Sequence, residues 1–145
     1  MKKILIYAGS VDGFKGTDFH RCCDNKGPTL TIIKATSKRI FGGYTSVNWD
    51  STTSGYKSDS NAYLFSVDND SKHVVTDASR AIVCNSSYGP IFGSGNDICI
   101  HNNSNTRTDN YSSPNAYSSI NNGSGKSVLT NNSDGYFQVE EIEVY

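Results

Sequence analysis

Chemistry on this chain has few places to sit. The candidates are three histidines (His20, His73 and His101), four cysteines (Cys22, Cys23, Cys84 and Cys99) and a closing acidic run. That run, Glu140, Glu141 and Glu143, holds every glutamate of the chain. The histidines are far apart and lack paired-ligand spacing. A Ser/His/Asp or Cys/His site assembles in space, so separation in sequence leaves one open. No Gly-x-Ser-x-Gly nucleophile elbow points to one. The cysteines form no CxxC pair and no zinc-ligand pattern. Adjacent Cys22 and Cys23 could bridge only by distorting the backbone. A reactive thiol needs exposure and a nearby positive charge, and Arg21 beside Cys22 is the one local cation. Four reduced thiols are expected, none a catalytic nucleophile. Cys84 and Cys99 are the pair best placed to bridge, because both flank one Gly-rich loop.

Phosphate and metal motifs fail on detail. Asn122-Gly123-Ser124-Gly125-Lys126-Ser127 resembles a phosphate loop, but the required first glycine is replaced by Ile120. Gly93-Ser94-Gly95 lacks the third glycine and following helix of a dinucleotide fingerprint. Asp68-Asn69-Asp70 and Asn96-Asp97 are oxygen-rich, as calcium requires, but complete no EF-hand loop. No cofactor and no metal are expected. On an alternating strand Glu141 and Glu143 share one face. They serve either as an acidic contact for a partner or as charges that keep a strand edge soluble.

The elements that would position these groups follow from composition. The 145 residues include 21 Ser, 15 Asn and 11 Thr, with 11 Ile and nine Val against four Leu and six Ala. Scarce helix formers and abundant β-branched residues favour strands. The net charge of −1 excludes a broadly basic nucleic-acid binder. Residues 1–72 carry ten basic and seven acidic groups, and residues 73–145 carry three and seven, so the C-terminal half is the acidic one. No apolar run is long enough for a signal peptide or a membrane span, so the expectation is a cytoplasmic protein without membrane insertion. Six Asn-X-Ser sequons, at Asn69, Asn85, Asn102, Asn110, Asn122 and Asn131, are what such a composition produces by chance.

The pattern predicts strands at residues 3–7, 29–34, 39–47, 62–67, 73–75, 81–84, 97–100 and 135–145. A helix is predicted over 17–24, capped by Thr17 and stopped at Asn25–Pro28. Ser10–Gly13 reads as a turn, Ser37-Lys38 as a hairpin turn, and Gly42-Gly43 as a bulge or a close backbone approach. The apolar phase of the last strand changes side near Glu140, which suits a bulge. An Asn/Ser-rich loop fills about residues 101–135, with Tyr111, Tyr117, Ile120, Val128 and Leu129 as its anchors. The fold class is mainly β: one domain over residues 1–145, a two-sheet antiparallel β-sandwich with one or two short helices. Phe14, Phe19, Ile32, Phe41, Tyr44, Trp49, Leu64, Phe65, Ile82, Ile98, Phe137 and Ile142 are the expected core.

Several blocks resemble the TLDc domain family. They are Ser10–Phe14, Phe19-His20, Asp24–Lys34, Ile40–Ser46 with Trp49, Asn61–Ser66, Tyr88–Gly93 with Gly95 and Asp97-Ile98, and Phe137–Tyr145. They stand in the family's order and span most of the chain, and residues 101–133 occupy its variable loop. The resemblance implies a β-sandwich with few helices and a eukaryotic origin. It implies a non-catalytic protein-interaction module with a role in oxidation resistance or in regulating the vacuolar proton-pumping ATPase, which several members bind. Self-association as a structural protein and a thiol-based antioxidant enzyme are the alternatives. The expected binding site joins the Gly-rich loop, through Tyr88, Phe92, Gly93, Gly95 and Asp97, to the closing acidic strand, through Glu140, Glu141 and Glu143. Glycines allow close backbone approach, aromatics anchor, and carboxylates orient a basic partner.

Overall fold

The computed structural model describes residues 3–94, 97–113, 115–118, 129–132 and 134–145. Among them two antiparallel six-stranded sheets face each other, the mainly β sandwich expected from the sequence. The first sheet contains β1 (Tyr7–Ala8), β2 (Thr29–Ala35), β3 (Ile40–Thr45), β5 (Tyr63–Ser66), β6 (Ser71–Val74) and β12 (Val139–Val144). Their order is β1-β12-β2-β3-β5-β6. The second contains β4 (Gly55–Lys57), β7 (Ile82–Cys84), β8 (Ile91–Phe92), β9 (Ile98–Cys99), β10 (Asn110–Tyr111) and β11 (Tyr136–Phe137). Their order is β11-β10-β9-β8-β7-β4. Two helices, α1 (Gly9–Asp12) and α2 (Gly16–Cys23), lie between β1 and β2.

The expected turn at Ser10–Gly13 is instead the single helical turn of α1. The first strand is shorter than the apolar run 3–7, because only Tyr7 and Ala8 pair with Val144 and Glu143. Helix α2 starts at Gly16, so Thr17 lies inside it rather than at its cap. The Asp18 carboxylate reaches back to accept the Lys15 amide at 3.1 Å, satisfying an amide at the helix entry. A Cβ at residue 16 would lie 2.6 Å from the Ser87 carbonyl carbon, so only glycine lets α2 approach the second sheet. Phe19 and Cys23, one turn apart, are the apolar face it buries.

In β2 the period of two turns Thr29, Thr31, Ile33 and Ala35 inward and Leu30, Ile32 and Lys34 outward. Ile32, Tyr44 and Phe65, expected in the core, therefore lie half-buried on the outer face of the first sheet. These strands carry apolar residues in both phases. Burial of Ile33, Phe41 and Leu64 between the sheets fixes which phase points out. The pairing of β2 with β3 runs unbroken through Gly42 and Gly43, so these glycines mark a close approach and not a bulge. A Cβ on Gly42 would stand 1.9 Å from the Thr31 carbonyl oxygen. The bulge expected near Glu140 is present: the β12–β2 register shifts between Val139 and Glu141.

An aromatic chain crosses the core from α2 to the far sheet. Tyr7, Phe19, Trp49, Phe92 and Tyr117 meet edge to face, at centroid separations of 5.8, 5.3, 5.5 and 6.4 Å. Each buried polar tip has a partner. Trp49 Nε1 donates to Thr29 Oγ1 at 3.0 Å, and the Tyr117 hydroxyl donates to the Ala81 carbonyl at 2.6 Å. The long loop is also ordered where it is described. The Asn110 side chain, fully buried, donates to the carbonyls of Ser104, Arg107 and Phe137 and accepts the His101 amide. Tyr117 and Leu129 anchor the loop as expected. Ile120 and Val128 lie outside the described residues.

Two carboxylates tie loops to this frame and set its acid sensitivity. Asp59 accepts from Thr45 Oγ1, the Ser46 amide and hydroxyl and the Asn61 amide. Asp50 accepts from Thr52, Thr53 and Lys57. Burial opposes each charge, but the donors outweigh it and hold both carboxyls below their ordinary range. A depressed folded value means the unfolded chain takes up protons first as pH falls. Stability should stay level down to about pH 5 and drop below about pH 4, where free Asp titrates. Urea melts between pH 7 and 3 check this. Asp59→Asn should flatten part of the drop, and an identical pH profile for that variant would contradict the assignment.

Candidate functional site

The Gly-rich loop between β8 and β9 is built around a buried carboxylate. Gly93 has φ +83°, and a Cβ there would stand 1.8 Å from Asp97 Oδ1. Asp97 is fully buried and accepts the amides of Asn115, Ala116 and Tyr117 at 2.5, 3.1 and 3.1 Å. Its backbone carbonyl accepts the Ser112 hydroxyl at 2.8 Å. Burial pushes its carboxyl up, and the amides pull against that rise. Phe92 is also fully buried, its ring between Trp49 and Tyr117. Of the residues expected to bind from this loop, Phe92, Gly93 and Asp97 thus serve the interior. Tyr88 is half-buried against His101, ring centroids 5.4 Å apart, and Gly95 lies outside the described residues.

The acidic run sits in the other sheet, on β12. The bulge turns Glu140 out to solvent, where it pairs with Lys34 at 3.1 Å and with Lys38. Glu141 is held differently. Its Oε1 accepts the Ser10 amide at 3.0 Å and the Ile142 amide at 2.9 Å, and its Oε2 accepts the Ser10 hydroxyl. It fastens α1 to the strand edge. Glu143 accepts the Tyr145 hydroxyl at 3.2 Å. The expected site therefore divides between two sheets, and Glu140 and Glu143 are its carboxylates free of such a fastening role.

The remaining chemistry resolves into structure. His20, buried, places Nδ1 2.6 Å from Asp24 and Nε2 2.9 Å from the Asn85 carbonyl. The Ser51 hydroxyl donates to the same Asp24 carboxylate at 2.5 Å. The carboxylate stands between hydroxyl and imidazole, which is the wrong order for a nucleophilic triad, where the base must face the hydroxyl. His73 lies between the Ser118 carbonyl and the Ser71 hydroxyl. No group of three His, Cys, Asp or Glu among the described residues could hold a metal ion.

All four cysteines are free thiols, Cys84 and Cys99 included. Burial pushes each thiol up, Cys99 to about 11, and a raised value disfavours the nucleophilic thiolate. Under native conditions at pH 8, a thiol reagent should label Cys22 slowly and the other three only after denaturant is added. Rapid labelling of a buried cysteine in the native protein would contradict this placement.

Sequence reasoning missed the outer face of the first sheet. Leu30, Tyr44, Tyr63 and Val74 stand side by side across β2, β3, β5 and β6. The neighbouring row runs Glu143, Ile32, Gly42, Phe65 and Lys72. The Tyr44 and Tyr63 rings stack with centroids 5.2 Å apart, and Lys72 Nζ lies 4.4 Å over the Tyr63 ring. The signal was present in the sequence: β2 and β5 are apolar in both phases, which marks a strand with no purely polar side. A separate cleft of about 580 Å³ between the β2–β3 turn and β11 is lined mainly by hydroxyl and amide groups, including Ser37, Thr130 and Asn132.

This is an antiparallel β-sandwich whose sequence landmarks (Gly42, Trp49, Phe92, Gly93 and Asp97) go into close approaches, turns and core. The chain belongs to the TLDc domain family, whose model matches residues 1–145. It is also similar to the MTOR-associated protein MEAK7 of Danio rerio, 32% identical over 63 residues. That match covers 43% of this chain and 14% of the relative. No helix among the described residues is long and apolar enough to cross a membrane.

Proposed function

We propose that this chain is a non-catalytic protein-interaction module of TLDc type, with a role in oxidative-stress resistance or in regulating the vacuolar proton-pumping ATPase, of which pump binding is the reading taken up here. The observation that carries the reading is how the landmark residues are used. They build the scaffold, and the chemistry-bearing side chains are tied to structural partners, so function is left to surfaces. The name of the MEAK7 relative, which describes association with another protein, supports a protein partner. The contact assigned here is Glu140 and Glu143 on β12. Glu141 is left out because it fastens α1.

Binding to the immobilised, purified proton pump tests this. Glu140→Lys together with Glu143→Lys should weaken binding about tenfold and reduce its salt dependence, because reversed charges meet a basic surface. Unchanged affinity and salt slope in a normally folded double variant would place the contact elsewhere. Self-assembly through strand edges has less support. The outermost strands β1 and β11 have two residues each, β4 has three, and β6 is bonded by Ser118.

A further inference from the structure

The outer face of the first sheet is apolar, charged at its two ends and uncovered by any of the described residues. A sheet face of this kind is normally buried by a second layer, and exposed apolar patches of this sort mark interaction sites. Gly42 sits at its centre, closed over by the Thr31 carbonyl and the Phe65 ring. A shallow dent of about 280 Å³ opens beside it, lined by Leu30, Tyr63, Phe65 and Lys72. Val74, at the end of the adjoining row, is 54% exposed.

We propose that this face seats an amphipathic helix of a partner protein, lying across the strands along the row Glu143–Ile32–Gly42–Phe65–Lys72. The proposal deepens the interaction-module reading and rests on it. The backbone argument selects a helix. A segment lying on the face of a sheet finds no strand edge to pair with, so its own amides and carbonyls must bond within the segment. The edges of this sheet are partly taken among the described residues. The Ser118 amide donates to the Val74 carbonyl along β6, and β1 and Glu141 occupy the far side of β12.

Charge fixes the direction. Lys72 at one end has no carboxylate within ion-pairing distance among the described residues, and Glu143 at the other end has no cation. The negative end of a helix is its C-terminus, so the C-terminus belongs at Lys72 and the N-terminus at Glu143. Five strands span about 19 Å, which a helix covers with about 13 residues. One apolar residue of the helix would enter the dent lined by Leu30, Tyr63, Phe65 and Lys72, and residues toward the helix N-terminus would lie over Ile32.

A phage-displayed library tests this. Its 14-residue helix-forming peptides carry a fixed leucine stripe and randomised flanking positions, and they are selected against the whole immobilised chain. The expected winners become helical on binding and carry Asp or Glu near the C-terminal end. A synthetic winner should lose at least tenfold in affinity to Phe65→Asp and several-fold to Lys72→Glu, both folded by circular dichroism. Changing its acidic residue to Lys should restore binding to the Lys72→Glu chain. No enrichment over a scrambled stripe would overturn the proposal. So would winners indifferent to both substitutions, winners that bind as extended strands, or a concentration-dependent dimer abolished by Phe65→Asp, which would give the face to a second copy. The same variants are tested for pump binding. Pump binding that survives loss of the helix peptides sinks only the helix seat, and loss of pump binding to Glu140→Lys, a position outside the helix row, with helix peptides still bound keeps the two readings apart.

Discussion

Trp49→Ala should be among the most damaging single substitutions in this chain, at about 3–5 kcal/mol. Trp49 is fully buried at the centre of the aromatic chain, touching Phe19 on α2 and Phe92 on the second sheet. Its loss empties the contact between helix and sandwich and leaves the Thr29 hydroxyl without its indole donor. Trp49→Phe keeps a ring in the space and loses mainly the hydrogen bond and some volume, so it should cost markedly less. Urea unfolding followed by circular dichroism measures both. An Ala variant as stable as the Phe variant would show that packing at this point does not hold the two layers together.

Asp97→Ala should come close behind, at about 3 kcal/mol or more, because it leaves the Asn115, Ala116 and Tyr117 amides without an acceptor. Gly93→Ala should be comparably harmful, since its Cβ would enter the space of the carboxylate at a left-handed φ of +83°. The two changes remove the same contact. The double variant should therefore be less destabilised than the two singles added together, because the contact with Oδ1 at 1.8 Å goes with the carboxylate, while the 2.6 Å approach to the Cβ of residue 97 stays. Strict additivity would mean that Gly93 is needed only for its backbone conformation. Hydrogen exchange at Ala116 and Tyr117 should rise sharply in either single variant.

Alternation was the most legible feature of the sequence. It located most of the strands and the bulge at Glu140, while turn and stop residues located the hairpin at Ser37-Lys38 and the helix within one residue. It did not tell which of two apolar phases faces inward. Ile32, Tyr44 and Phe65 look like core residues in isolation, and only the burial of their chain neighbours and strand mates Ile33, Phe41 and Leu64 between the sheets sends them out. The candidate site was legible in part. Its polarity placed Glu140 at the surface, where it stands paired with Lys34 and Lys38. Glu141 differs because a bond to Ser10, 131 positions away, fastens it to α1. Phe92 and Asp97 sit in a stretch that reads as a surface loop, and their burial depends on Trp49 and on the 115–117 segment, which nothing local announces. Asn110 carried no signal beyond its sequon, yet its amide organises the loop around it.

ATP-driven proton pumping by the purified vacuolar ATPase, recorded as the whole chain is titrated in, tests the central claim most directly. A saturable change in pumping is predicted. It should be weakened about tenfold by Glu140→Lys/Glu143→Lys and left intact when all four cysteines are replaced by serine in a chain that still folds. Pumping that stays constant to saturating chain, or a response lost with the cysteines and kept with the reversed glutamates, would contradict it.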